Sequence, residues 1–199
     1  TNAWLEQDPQ SASIWALQEA EFNGNYDLLN ETIHAFSKQY PKDAEALVRD
    51  MASANNSSGA VVEAHIRARA EQDPVTTAQW LANLPSSDPI YSYENNSTLM
   101  QVWAESDSIA ASEWLSTMPA GPQRDAAIAG FSKSIERFEP EAAAIWANSM
   151  GDPIRRVERL EASVRNWADL RPVEALKWLK STEMEPGLRD QLIREIPKN

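Results

Sequence analysis

A period of 32–34 residues runs through this chain and limits its fold more than any other feature. An anchor recurs at Trp4, Phe36, Arg69, Trp103, Ile135 and Trp167, in steps of 32, 33, 34, 32 and 32 residues. All anchors but Arg69 are aromatic or apolar. Five residues after them come Pro9, Pro41, Pro74, Ser108, Pro140 and Pro172. Eight after come Ala12, Ala44, Thr77, Ala111, Ala143 and Ala175, and eleven after come Trp15, Leu47, Trp80, Trp114, Trp146 and Trp178. Self-similarity at such a period marks stacked repeats.

The columns have physical meanings. Proline at plus five, usually after an acid, suits a helix start, where its missing N–H is an orphan anyway and the acid can cap. Plus eight, eleven, twelve and fifteen then share one helical face; in the fourth repeat these are Ala111, Trp114, Leu115 and Met118. Leu84-Pro85, Met118-Pro119 and Met150-Gly151 stop the first helix. A second helix runs on to the next anchor, with Val157, Leu160, Val164 and Trp167 at helical spacing in the fifth repeat. One hairpin cannot bury its apolar stripe, but stacked neighbours can. The expected fold is all-α: an α-solenoid of about six stacked αα-hairpins in a right-handed superhelix, one helical-repeat domain over residues 1–199. Trp4 falls in the slot of a preceding second helix, so the sequence reads as a piece of a longer chain with a hairpin before Thr1.

Twelve helices are predicted at 9–20, 24–39, 41–53, 58–72, 74–84, 90–106, 108–118, 121–138, 140–150, 153–170, 172–181 and 186–196. The linkers carry turn chemistry, as at Asn23-Gly24-Asn25, Asn55-Asn56-Ser57 and Gly151-Asp152-Pro153. Residues 90–93 are too short a mixed stretch to found a sheet.

The third repeat is the longest and departs from the rest. Seven residues before the next anchor, other repeats place Leu29, Val62, Ile128 and Leu160; here the slot holds Asn96. A polar amide in an apolar column must find hydrogen bonds or reach water. Either the helix starts late, after a true loop, or the asparagines stay at the surface for a partner.

The Asp-Pro-x-x-Ala-x-x-Trp-Leu start and the period resemble helix A of tetratricopeptide repeats. The small residue that family places soon after the aromatic is missing, since Trp80 runs into Leu-Ala-Asn-Leu-Pro. The set Asp73-Pro74, Trp80-Leu81, Leu84-Pro85, with Trp114-Leu115, Met118-Pro119, Gly121 and Arg124-Asp125, looks more like Trp-rich repeats in often membrane-tethered proteins of Planctomycetes and Verrucomicrobia. The likeness covers nearly the whole chain, most clearly residues 69–190. It implies a helical-repeat fold and an extracytoplasmic bacterial setting, and no activity.

Composition narrows the partner. Eighteen basic against thirty acidic residues give a net charge of −12. That argues against a nucleic-acid backbone, which needs Lys and Arg to displace counterions, and against an anionic membrane. It fits a basic protein or peptide, or simply a solvated surface. The chain has no cysteine, so disulfides and thiolate metal sites are excluded. No transmembrane run is present.

Catalytic patterns are sparse. His34 and His65 occupy near-equivalent slots on adjacent second helices and could be neighbours, but no acid stands at a metal-ligand spacing. No metal or cofactor is assigned. Glu19/Glu21, Glu139/Glu141 and Glu45/Asp50 are acid pairs with no accompanying pattern, and acid–base work needs a pocket that separates their pKa values. The eight tryptophans could stack sugars, but their columns explain all of them as core. Arg124-Asp125, Arg155-Arg156 and Arg189-Asp190 start second helices, as a partner-facing ridge or, preferably, a ladder of inter-repeat ion pairs.

The leading expectation is a non-enzymatic protein- or peptide-binding scaffold. Solenoids present a concave face of first helices, and the columns at plus ten, thirteen and fourteen lie off the buried stripe. The site is placed near repeats three and four, at Asn83, Tyr91, Tyr93, Asn95, Ser116 and Asn148, because the loop of repeat three could fold over the adjacent first-helix groove and tyrosine suits recognition. The alternatives are a glycan- or peptide-processing enzyme with groove carboxylates, marked by a deep pocket, and a structural spacer of an envelope protein.

Overall fold

The structure is a computed structural model that describes residues 4, 7–24, 26–53, 58–85 and 87–196. The linker residues Asn25, Asn55, Asn56 and Ser57, and the hairpin expected before Thr1, lie outside the described residues. Among those described there are helices and no strand. The helices are α1 Pro9–Asn23, α2 Asp27–Gln39, α3 Pro41–Ser53, α4 Ser58–Gln72, α5 Pro74–Ala82, α6 Tyr93–Ser106, α7 Ser108–Thr117, α8 Pro122–Ile135, α9 Pro140–Asn148, α10 Pro153–Leu170, α11 Pro172–Ser181 and α12 Pro186–Glu195. The chain divides into two compact units, Thr1–Val102 and Trp103–Asn199, and each is described by itself.

Capping explains where the helices begin. Asp8, Asp73 and Asp107 accept the N–H groups of Ser11, Thr76 and Ala110 at 3.0, 2.9 and 2.9 Å. Bonds from the Ser11 and Thr76 side chains and backbones also hold the Asp8 and Asp73 carboxyls below their ordinary value. Glu139, in the same slot before Pro140, makes no such bond. Several boundaries differ from the sequence expectation, among them the start of α2 at Asp27 instead of residue 24, and three of them have a local reason. Gly24, at φ 73°, ends α1 in the left-handed conformation and sends its N–H to the Ala20 carbonyl at 2.8 Å. Two turns, Asp88 N–H to Pro85 O and Tyr91 N–H to Asp88 O, both 2.9 Å, delay α6 to Tyr93. Helix α8 ends at Ile135, where a tighter turn brings the Phe138 N–H to the Ile135 carbonyl at 3.0 Å.

The register dictates what is buried. Every plus-eight residue is buried, and so is every plus-twelve residue: Ala16, Val48, Leu81, Leu115, Ala147 and Leu179. In the first unit α2 packs on α1, α3 and α4, and α4 on α3 and α5. In the second, α8 packs on α7, α9 and α10, and α10 on α9, α11 and α12. Alanine at plus eight lets these helices approach closely.

The tryptophan columns meet as rings. Trp4 and Trp15 lie 5.5 Å apart, Trp103 and Trp114 5.9 Å, and Trp167 and Trp178 5.8 Å. Where the anchor is Ile135, Trp146 meets Phe131, one helical turn back, at 5.6 Å. Where the anchor is Arg69, its guanidinium sits 4.0 Å from the centre of the Trp80 ring, a cation–π contact. The assignment of all eight tryptophans to the core needs correction. Trp103, Trp167 and Trp178 are buried, Trp15, Trp80, Trp114 and Trp146 are half-buried, and Trp4 is exposed. Plus eleven lies on the flank of a stripe centred on plus eight and twelve, so one edge of the ring stays wet at Trp15, Trp80, Trp114 and Trp146, while Trp178 is covered.

Arg124 and Arg189, at second-helix starts, bond to backbone carbonyls and not to the carboxylates of the expected ladder of inter-repeat ion pairs. Arg124 donates to the Ser149 carbonyl at 3.3 Å and Arg189 to the Thr182 carbonyl at 2.9 Å, so each cation serves acceptors just past a first helix. Arg155 lies 3.9 Å from Asp152 within its own helix start. Asp125 is buried, and its two carboxylate oxygens accept the N–H groups of Gly151 and Asp152 at 2.8 and 2.7 Å. It thereby fixes the turn between α9 and α10. Asp125→Ala is expected to destabilise by about 2–3 kcal/mol, because it leaves two N–H groups without a charged acceptor. Chemical denaturation checks this against Asp190→Ala, an exposed residue whose loss should stay within about 0.5 kcal/mol.

Candidate functional site

In the first unit, Asn83, Tyr91, Tyr93 and Asn95 surround the loop between α5 and α6. Asn83 is exposed and caps α5; its amide donates to the Gln79 carbonyl at 2.7 Å. Tyr91 and Tyr93 are half-buried. Asn95 is only 4% exposed, and its amide donates to the Ile90 carbonyl. Asn96 is buried as well and donates to the Ser92 carbonyl at 3.3 Å. Of the two readings of these asparagines, the late helix start is the one observed. Their amides close the loop from inside instead of facing solvent.

The loop is also tied back to a first helix. Asp88 accepts the Ile90 N–H at 2.9 Å and forms an ion pair with Arg49 on α3. Arg49 pairs in turn with Glu45 at 2.9 Å, and Glu45 with Arg69 at 2.7 Å, the guanidinium that covers Trp80. Burial alone would raise the Asp88 carboxyl; Arg49 and the Ile90 N–H outweigh it and leave it below its ordinary value. One chain of charges thus joins α3, the end of α4, α5 and the loop. Arg49 stands in the outward plus-thirteen column. Asp88 was missed in the sequence, because an acid in a loop carries no periodic signal. Arg69 was visible as the single charge among the anchors.

In the second unit, Ser116 is exposed and its hydroxyl donates to the Ser112 carbonyl at 2.8 Å. Asn148 is half-buried at the last position of α9. The unit has a pocket of about 20 Å³ against Val164, Leu192 and Ile196, room for one water at most.

The histidines have separate partners. His34 Nε2 lies 3.1 Å from Glu71, which also accepts from Lys38 at 2.9 Å. His65 is fully buried, with the Ser37 hydroxyl 2.8 Å from its Nδ1. A serine against a histidine suggests a nucleophile and its base. Here Ser37 is fully buried too, so no substrate reaches it and the pair is a core contact. Among the described residues no group of three His, Cys, Asp or Glu side chains is arranged to hold a metal ion.

The first unit has a groove of about 490 Å³ between α2 and α4, lined by Asn30, Glu31, His34, Ala60, Glu63, Ala64, Arg67 and Glu71. Three carboxylates line it, Glu31, Glu63 and Glu71. Burial would raise Glu71, but Lys38 and His34 outweigh it and hold it below the ordinary carboxylate value, whereas a general acid needs the reverse. The groove was missed because its residues sit on two second helices about 30 positions apart. No family model matches this chain, and no curated relative or solved structure matches it either.

Proposed function

We propose that this chain is a non-enzymatic scaffold that binds a peptide along the outward face of its first helices. In this reading the hairpins stack as an α-solenoid of about six tetratricopeptide-like repeats in a right-handed superhelix, in an extracytoplasmic setting. The packing of α2 on α1, α4 on α3, α8 on α7, α10 on α9 and α12 on α11, with α2 on α4, α8 on α10 and α10 on α12, supports stacking.

One observation carries the proposal: first helices leave a large aliphatic residue uncovered. In the first unit these are Ile14 on α1 and Val75 on α5. In the second they are Ile109 on α7, 71% exposed, Ile145 on α9 and Val173 on α11, 80% exposed. The outward polar columns are exposed beside them, at Gln79, Asn83, Glu113, Ser116 and Lys177. Isolated exposed aliphatics mean little; a recurrence on successive first helices gives a ligand repeated apolar contacts with hydrogen-bonding groups between them. Helix α3 lacks such a residue, and it is the one the Asp88 loop is pinned to. The charge of −12 favours a basic segment. Among the described residues no helix is long and apolar enough to cross a membrane.

The test is selection of a random peptide library against the full chain. Peptides should be retained, and the double variant Ile109→Glu with Ile145→Glu should bind them at least about tenfold more weakly while melting as the parent does. Retention of no peptide, or equal binding by the folded variant, defeats the proposal. Tyr91→Ala with Tyr93→Ala, tested on the same peptides, asks whether the loop before α6 and the first turn of that helix take part.

A further inference from the structure

The outward face of the second unit carries charges of both signs in a fixed order. Residues six, ten and thirteen after each anchor share one helical face, turned away from the buried residues at plus eight and twelve. On α7 this face holds Ile109 and Glu113, on α9 Glu141 and Ile145, and on α11 Val173, Lys177 and Lys180. All seven are exposed. Helix α8 packs on both α7 and α9, and α10 on both α9 and α11, so the three first helices follow one another in chain order. The stripe therefore runs from acid on α7 and α9 to base on α11. Elsewhere the unit neutralises charges in pairs, Arg159 with Glu136 and Arg165 with Glu195. On the stripe it leaves them open. Glu113, Glu141, Lys177 and Lys180 have no ion pair or hydrogen bond among the described residues. Lys177 stands one turn from Glu174, yet Glu174 goes to Arg171 instead, at 3.5 Å.

We infer that the peptide bound on this face carries charges of both signs, basic residues opposite α7 and α9 and acidic residues opposite α11, with apolar residues between them. The inference rests on the peptide-scaffold reading and specifies its ligand. Complementary charges across an interface fix register and suppress wrong partners more than they add affinity. Ile109, Ile145 and Val173 supply apolar contact, but being alike they accept a chain running either way; the change of sign selects one direction. A uniformly basic peptide meets two lysines on α11, and a uniformly acidic one meets glutamates on α7 and α9, so both are rejected by like charge. The net charge of −12 does not decide the matter here. The first unit holds fourteen acidic and five basic residues, the second sixteen and thirteen, so on the second unit the local order of charges governs.

The experiment selects random peptides about twelve residues long, which reach roughly 40 Å when extended, against the full chain and two double variants. Lys177→Glu with Lys180→Glu reverses the basic end of the stripe. Lys133→Glu with Arg137→Glu makes the same change of charge at exposed positions around the end of α8. All four residues are exposed, and melting curves verify folding; Lys177→Gln with Lys180→Gln replaces the first variant if glutamate near the helix C-terminus destabilises α11. Peptides retained by the parent should carry Lys or Arg toward one end and Asp or Glu toward the other, in one orientation. The stripe variant should retain peptides without that acidic end, and the α8 variant should select as the parent does. One retained peptide is then synthesised. Exchanging its acidic residues for lysine should weaken binding to the parent about tenfold, the worth of two exposed ion pairs, and strengthen binding to Lys177→Glu with Lys180→Glu. Identical selection by the parent and the stripe variant would overturn the inference, and so would an equal change in the α8 variant, which reduces the effect to net charge. Peptides that lose affinity for Ile109→Glu with Ile145→Glu but ignore the lysines would leave the scaffold standing and sink the charge order alone. Retention of no peptide by any of the proteins defeats both.

Discussion

Trp167→Ala is expected to remove about 3–5 kcal/mol of stability, the range for a buried aromatic cut to alanine. Trp167 is 1% exposed and lies in the core cluster of α10, α11 and α12 with Leu160, Val164, Ala175, Leu179 and Leu192. Its neighbours Ala168 and Ala175 are too small to collapse into the gap. Trp114, the half-buried partner of Trp103, should cost about half as much, since one edge of its ring is already in water. Trp167→Phe adds a finer comparison. The indole N–H of Trp167 is buried without an acceptor, so removing it offsets part of the lost volume. Urea titration of the three variants measures all of this. Equal losses at Trp114 and Trp167 would mean that the ring contact, and not burial, sets the cost.

Acid should weaken the first unit through His65. The imidazole is buried, and burial first, then Arg69 and Arg49, push its pKa down from 6.5 to about 4, with Glu45 pulling the other way. Between those two values the unfolded chain binds a proton that the folded chain does not, so stability rises with pH. The contribution is fully present above about pH 6.5 and is lost as the pH falls toward 4. At 1.36 kcal/mol per pKa unit it totals about 3 kcal/mol. The measurement is the unfolding free energy of the parent and of His65→Phe between about pH 4 and 7. Carboxylate titrations are common to both proteins, so the difference between them should shrink or reverse by about 3 kcal/mol across this interval. A difference independent of pH would show that His65 titrates alike in the folded and unfolded chains.

The helices were legible in the sequence because their signals are local. Asp-Pro starts and Leu-Pro or Met-Gly stops sit within a few residues of the boundaries they set, and the buried columns at plus eight and twelve follow from helical geometry alone. The degree of tryptophan burial was not legible. Plus eight and plus eleven share a face, and only the crossing of a neighbouring helix decides which lies deeper. The asparagines at 95 and 96 were visible as exceptions, but their partners, the carbonyls of Ile90 and Ser92, depend on how the loop turns. The groove and the Asp88 link join residues from different repeats, and one sequence offers no periodicity for such pairs.

The reach of the Arg49–Asp88 link has a consequence for biosynthesis. It joins positions 39 residues apart, whereas the Asp125 clamp closes over 26 and 27. A ribosome adding about 5–20 residues per second releases Asp88 roughly 2–8 s after Arg49. Arg49 therefore meets its loop partner only once the first helix of the next repeat has been made, within seconds of its own synthesis. Low contact order of this kind favours rapid closure, and it keeps short the time for which the apolar stripe of a newly made helix stands uncovered to neighbouring chains.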